Sequence, residues 1–206
     1  EHHNGDDYTT PDSDGRNDWY GISGFPTAVF DGITQVVGGS SSNSMYTTYE
    51  PIVTDRKTVK SAFAVDIFGD DLGGGSYHSI VTVNRMAEFM NSNLSLIFGV
   101  SESHIYEPWQ GQDSLHFVTR LLLPDYMGTP IDLMAYEYVE VPIDFTIDPS
   151  WVTEHCEIVY FVQDMDTKEI LQGGKVMVNA LIPTGIEEDL NNNGIAISKI
   201  YPNPFS

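Results

Sequence analysis

Trp19 to Gly39 reads WYGISGFPTAVFDGITQVVGG, and the backbone chemistry of this stretch decides how the first part of the chain folds. Two short runs rich in β-branched and aromatic residues, Thr27 to Phe30 and Ile33 to Val37, are joined by Asp31-Gly32. A two-residue Asp-Gly connection accepts the positive φ angles that a tight hairpin needs. Pro26 stands where the first run begins, the place in a strand where a missing N–H does least harm. Working outward, Asp12 or Ser13 can cap a short helix running to Tyr20. Gly38 to Ser44 is a loop. Met45, Tyr49, Ile52, Val53 and Arg56 then recur at helical spacing, with Pro51 predicting a kink or a helix start. The apolar stripe of that helix is expected to cover one face of the hairpin.

Gly24-Phe25-Pro26-Thr27, behind Tyr20-Gly21-Ile22, resembles the proline loop of a thioredoxin. That resemblance implies a cis Phe25–Pro26 bond, followed by a hairpin, a glycine pair and a C-terminal helix. A thioredoxin also carries a Cys-x-x-Cys pair whose low-pKa thiolate does the redox chemistry. This chain has one cysteine, Cys156. The strands and redox helix that the resemblance implies would precede Glu1, so residues 1–57 read as the second half of a thioredoxin-like domain. Gly24, Phe25, Pro26 and Thr27 are then scaffold residues.

At Thr58 the period changes from helical to alternating, and residues 58–184 form a second unit. Phe63, Val65 and Ile67 alternate with Ala62, Ala64 and Asp66. Leu94, Leu96, Phe98 and Val100 alternate as well, as do Val139 to Ile147. Ile80 to Val83, Phe117 to Leu123, Ile158 to Val162 and Lys175 to Ile182 complete about seven strands separated by Gly, Asp and Pro turns. That pattern predicts an antiparallel β-sandwich in which one face of each strand is wet. The fold class is therefore mainly β: a partial thioredoxin-like α/β segment followed by an antiparallel β-sandwich. Residues 185–206 are a polar linker and tail.

Thirty Asp plus Glu stand against nine Lys plus Arg, a formal charge of −21 over 206 residues. A polyanion of this strength repels nucleic acid and anionic lipid. No apolar run is long enough to span a bilayer as a helix, so membrane insertion is not expected. Divalent calcium or a basic partner suits the charge better. Cys156, ahead of the apolar run Ile158 to Val162, reads as a buried small residue.

Three pieces of the sandwich carry a wider resemblance: ESHIYEPWQGQ at 102–112, FVTRLLLPDYMGTPID at 117–132 and FVQDMDTKEILQGGKV at 161–176. With the half-thioredoxin they resemble the twenty-eight-kilodalton outer-membrane-protein-related family, surface or secreted proteins of Bacteroidetes. The resemblance implies a thioredoxin-like domain followed by a β-sandwich, and no settled enzymatic activity. KIYPNPFS at 199–206 is similar to the opening of a type IX secretion C-terminal sorting domain, which implies export to the cell surface or beyond.

The remaining motifs point to no chemistry as strongly. His2, His3, Asp6 and Asp7 have metal-ligating side chains, but adjacent histidines on an extended strand face opposite ways. Asp189-Leu-Asn191-Asn-Asn193-Gly194 opens like a calcium loop, yet Ile200 stands where the bidentate Glu belongs. Asp164 and Asp166 offer either a weak calcium site or a solvated hairpin turn, and the turn is the favoured reading. Glu102 and His104 would share a face of one strand, the arrangement that acid–base work needs, with Glu107 close by in sequence. Asp113-Ser114-Leu115 resembles a short acceptor motif for a surface O-linked glycan. Neither a nucleophile elbow nor His-Glu-x-x-His occurs. The reading is a secreted or cell-surface protein, structural or adhesive and without a cofactor, that self-associates through its N-terminal region into filaments or layers. The alternative is an extracellular thiol oxidoreductase or chaperone completed by a Cys-x-x-Cys half upstream of Glu1.

Overall fold

The structure is a computed structural model describing residues 1–40, 42–109 and 112–184. The segment with the calcium-like loop and the sorting-type tail lies outside the described residues. Two antiparallel sheets pack face to face. The smaller is ordered β10–β4–β3, from β3 (Phe63–Gly73), β4 (Ser76–Arg85) and β10 (Tyr138–Thr146). The larger is ordered β12–β11–β5–β8, from β5 (Leu94–Glu102), β8 (Val118–Leu123), β11 (Cys156–Asp164) and β12 (Ile170–Met177). A short strand, β9 (Thr129–Ile131), continues the pairing along β5.

Alternation explains the interface between the sheets. Ile67, Val81, Val83, Val141, Ile143 and Phe145 point inward from the smaller sheet, and Leu96, Phe98, Val100, Ile158, Tyr160 and Val162 from the larger. The Phe145 ring stacks on Tyr77 at 5.2 Å and meets Phe98 across the core at 5.4 Å. Each of these side chains, once buried, contributes about 1.5–3 kcal/mol. Every buried side chain of this core lies between Phe63 and Val178.

Several sequence expectations need correction. Lys175 to Ile182 is not one strand: β12 ends at Met177, and a 3-10 turn, Val178–Ala180, follows. A separate ribbon, β6 (Ile105–Trp109) with β7 (Gln112–Leu115), stands apart from both sheets. The expected wet face is missing on β5, which is buried at every position. Its outward residues Ser95, Ile97 and Ser101 are covered because the chain adds a third layer over the larger sheet. Gly128 packs so closely there that a Cβ on it would lie 2.5 Å from Ile97 Cδ1.

That third layer includes the N-terminal segment. Helix α1 spans Pro11–Tyr20, and its cap is Thr10, not Asp12 or Ser13. Thr10 Oγ1 accepts from the Ser13 N–H, and Ser13 Oγ accepts from the Thr10 N–H, which closes a capping box. The hairpin follows as β1 (Thr27–Phe30) and β2 (Thr34–Val37). Asp31 and Gly32 both have positive φ, 45° and 78°, as the turn chemistry required. Ile33 falls outside β2, so the connection is one residue longer than expected: Phe30 pairs with Thr34, and Ile33 donates its N–H to Phe30 O. Helix α2 (Tyr46–Arg56) runs through Pro51 and buries no residue fully. Its half-buried Tyr49 meets Phe30 of the hairpin at 5.1 Å.

Candidate functional site

The N-terminal segment docks onto the turn between β11 and β12, and polar chemistry holds it there. Arg16, on α1, is 2 % exposed. Its guanidinium donates to Tyr126 O at 3.1 Å, Tyr20 Oη at 2.9 Å and Gln163 Oε1 at 2.8 Å. It lies over the rings of Trp19, Tyr20 and Phe161 at 4.8, 4.8 and 5.8 Å. Burial weighs against its charge and lowers its pKa, while Tyr20 works the other way. The fork geometry of arginine meets three acceptors that no point-charge ammonium could reach together.

Gln163 is wholly buried at the centre of this joint. Its amide nitrogen donates to Tyr20 Oη at 2.7 Å and Lys168 O at 2.6 Å, while its oxygen accepts from Arg16. All of its strong groups are therefore matched, which is what a buried amide requires. Lys168 donates to Trp19 O. The hairpin joins the same turn: Ile170 donates its N–H to Asp31 O at 2.9 Å, and Arg56 of α2 bridges Asp31 at 2.7 Å and Glu169 at 2.6 Å. The Asp164 to Glu169 turn is thus a docking surface, correcting the solvated-turn reading. Asp164 itself is buried; burial raises its pKa, but the Thr167 N–H and the Asn91 amide outweigh that and hold it below the usual carboxylate range.

Beyond the joint, the proline loop faces outward. The Phe25–Pro26 bond is cis, as expected, and so is Leu123–Pro124. Thr27 Oγ1 donates to Gly24 O at 2.6 Å and Gly38 N donates to Pro26 O at 2.8 Å, which closes the loop over the start of the hairpin. Phe25 is 55 % exposed and Val37 59 % exposed. Among the described residues no third strand pairs with β1 or β2. On the α2 side a shallow groove of about 200 Å³ is lined by Phe30, Asp31, Val53, Arg56 and Lys57.

The other candidate residues are placed differently. Glu102 and His104 do not act together. Glu102 is buried at the end of β5, accepts from the Val152 N–H at 2.8 Å and lies 3.5 Å from Arg120. His104 sits past the strand end with φ 59°, which breaks the alternation that would have put the two on one face. Glu107 accepts from Tyr8 Oη at 3.3 Å. His3 Nδ1 is 2.6 Å from Asp6 Oδ2, and His2 is held down to about 3 by burial, with Arg16 adding to the effect. Among the described residues no group of three His, Cys, Asp or Glu is arranged to hold a metal ion. Cys156 is buried, its thiol pushed up to about 11 by burial, with Glu102 adding to the effect. Ser114 is half-buried on β7, opposite Tyr106.

No family model and no curated protein matches the chain. Among solved structures the fold is similar to HBP35 of Porphyromonas gingivalis, with a TM-score of 0.67 at 16% identity over 88% of this chain and 61% of that one. This chain therefore spans about three fifths of that protein. A domain of the outer membrane lipoprotein Omp28 from Porphyromonas gingivalis is also found, with a TM-score of 0.45 at 14% identity over 62% of this chain and 93% of that one. At such identities the likeness to HBP35 is a likeness of fold.

Proposed function

We propose that this protein is a non-enzymatic structural or adhesive module, displayed on the outer-membrane surface or released outside the cell, and that its N-terminal hairpin is its joining element. The observation that carries the reading is the β1–β2 sheet, which no third strand joins among the described residues, with Phe25, Ile33 and Val37 exposed around it. A two-stranded sheet is marginal in water, and a free apolar edge recruits another strand. Here the turn end of the hairpin is anchored to the sandwich, through the Ile170 N–H to Asp31 O bond and the close approach of Gly32 to Lys168 O, so an added strand would extend a braced sheet. Addition between identical chains in a head-to-tail sense does not close on itself and gives filaments or layers. The acidic exterior opposes sideways clumping, and salt or calcium, by screening it, promotes bundling. The extracellular setting is supported by the resemblance of residues 102–112, 117–132 and 161–176 and agrees with the fold likeness to a Porphyromonas protein.

The exposed Phe25–Pro26 surface favours a second reading, a thiol oxidoreductase or chaperone completed by a domain half upstream of Glu1. Light scattering and electron microscopy of residues 1–206 at low and high salt test the first reading. Filaments or layers are expected, and Val37→Asp should abolish them. A strictly monomeric species at high protein concentration overturns it. Intact mass of the native protein, with a Cys-x-x-Cys found upstream and disulfide exchange observed, would establish the second.

A further inference from the structure

At one end of the smaller sheet the strand order β10–β4–β3 separates charge. β3 and β10 begin there and β4 ends there. Backbone bonds carry the pairing one step further: Met86 donates its N–H to Ala62 O at 2.7 Å, and Arg85 donates its N–H to Glu137 O at 2.8 Å. With neighbouring strands about 4.8 Å apart, the chain at Ala62 and the chain at Glu137 stand about 10 Å from each other on either side of β4. Lys60 leads into the Ala62 flank, with Lys57 just before it at the end of α2, and both are exposed. Glu137 marks the other flank; its carboxylate reaches Arg85 only at 4.0 Å and stays open to solvent.

Between the flanks the surface is apolar. Met86, Met90, Met134 and Tyr136 are all exposed, Met90 at 84 %. The three methionines, with Glu88, Phe89 and Glu137, line a groove of about 420 Å³. Both loops that form it are pinned from below. The Phe89 ring meets Phe63 of the core at 4.9 Å, and the Asn91 amide donates to Asp164 Oδ2 at 2.7 Å. Asp132 Oδ1 accepts from the Met134 and Ala135 N–H groups at 2.9 and 3.0 Å. Methionine and aromatic side chains gathered on a held surface, with charge at the rim, are the composition of a protein–protein contact.

We propose that this end of the smaller sheet is a twofold self-association surface whose occupant is a second copy of the same chain. Charge selects that occupant. At a formal charge of −21 two copies repel wherever acid meets acid. Among the described residues the exposed cations are Lys57, Lys60 and Lys175, and Lys175 is already paired with Glu157 at 2.8 Å. Lys57 and Lys60 have no carboxylate within ion-pair distance among the described residues. A twofold axis running between the flanks sets Lys60 of each copy against Glu137 of the other, at both ends of the contact. Met86, near the axis, then faces its own equivalent, and the unbranched methionine side chain adapts to that. The contact uses residues other than the hairpin edge, and the two together would cross-link filaments into layers.

The test is sedimentation equilibrium of residues 1–206 carrying Val37→Asp, which disables the hairpin edge and leaves this patch untouched. The two readings therefore fail separately: filaments of the parent bear on the hairpin, and the dimer of Val37→Asp bears on this surface. A reversible monomer–dimer equilibrium is expected at physiological ionic strength, where charge repulsion is screened beyond about 8 Å. In that background Lys60→Glu and Glu137→Lys should each weaken the dimer roughly tenfold or more, because each meets like charge at both ends of the contact. Combined, they should restore it. Overall repulsion predicts the opposite for Glu137→Lys, since that chain is less acidic and would associate more tightly. Unchanged midpoints of thermal unfolding verify that the variants fold. A chain that stays monomeric at millimolar concentration overturns the assignment. So does a dimer that either single variant leaves unweakened, or that the double variant fails to restore.

Discussion

Replacing Gly32 by alanine should detach the hairpin from the sandwich. An ideal Cβ at position 32 would lie 1.8 Å from Lys168 O, 3.0 Å from Lys168 C and 3.1 Å from Gln163 Nε2. The first of these is a backbone atom that cannot swing aside, so the Asp31-Gly32 turn must retreat by about 1.5 Å to restore van der Waals contact. That retreat breaks the Ile170 N–H to Asp31 O bond, worth about 1 kcal/mol. It also stretches the half-exposed Arg56–Asp31 pair, worth about 0.5 kcal/mol. The φ of 78° adds about 1 kcal/mol for any residue with a Cβ. The sum, about 2.5 kcal/mol, corresponds to roughly 60-fold faster opening of residues 27–37 in hydrogen exchange. Gly38 provides the internal control: its φ is 94°, with nothing within 4 Å of an added Cβ. Gly38→Ala should cost only the φ contribution, about fivefold in exchange. Peptides from β3, β5 and β11 should exchange as before in both variants. If Gly32→Ala opens the hairpin no more than Gly38→Ala does, the turn is not seated on Lys168 and the docking account fails.

Arg16→Met keeps much of the volume but leaves Gln163 Oε1 and Tyr126 O without their donors, so thermal unfolding should report a loss of about 2–3 kcal/mol. Arg16→Lys should recover little of it, because an ammonium cannot reproduce the fork. His2 sets a pH dependence: its folded pKa, about 3, lies below the ordinary 6.5, so its contribution is complete above 6.5 and is lost as pH falls toward 3. Urea denaturation should show stability declining through that window, and His2→Gln should remove up to about 1.4 kcal/mol per pH unit of the slope. A fragment of residues 58–184 should unfold in one cooperative transition, because the apolar core lies between Phe63 and Val178. Molten behaviour by near-ultraviolet dichroism would show that the joint is indispensable to that core.

The hairpin was legible because Asp-Gly dictates two positive φ angles wherever it occurs, and the sandwich because period-two alternation marks each strand. The third layer was not legible. Arg16 and Gln163 are 147 positions apart, polar, and outside any hydrophobic period, so no local pattern announces that they meet. The difference on β5 has a related origin: its outward Ile97 is met by Gly128, a residue with no apolar signature, so nothing local marks that face as covered. The run at 161–176 stood out as a resemblance, but its Asp-rich turn was taken for a solvent-facing one. His104 has a related explanation: it is expected to continue a strand beside Glu102, while β5 ends at Glu102 and the left-handed backbone of His104 breaks the alternation.

The joint has a consequence for where the protein keeps its positive charge. Arg16 is buried, and Arg56, Arg85, Arg120 and Lys168 are half-buried; among the described residues only Lys57, Lys60 and Lys175 are exposed cations. The scarce basic side chains act as internal mortar, and the outward-facing charge is more one-sided than the sequence total conveys. Packed densely on a surface, such molecules would hold a shell of mobile counter-ions whose osmotic pressure draws in water. A coat of them would swell in dilute medium and contract in brine.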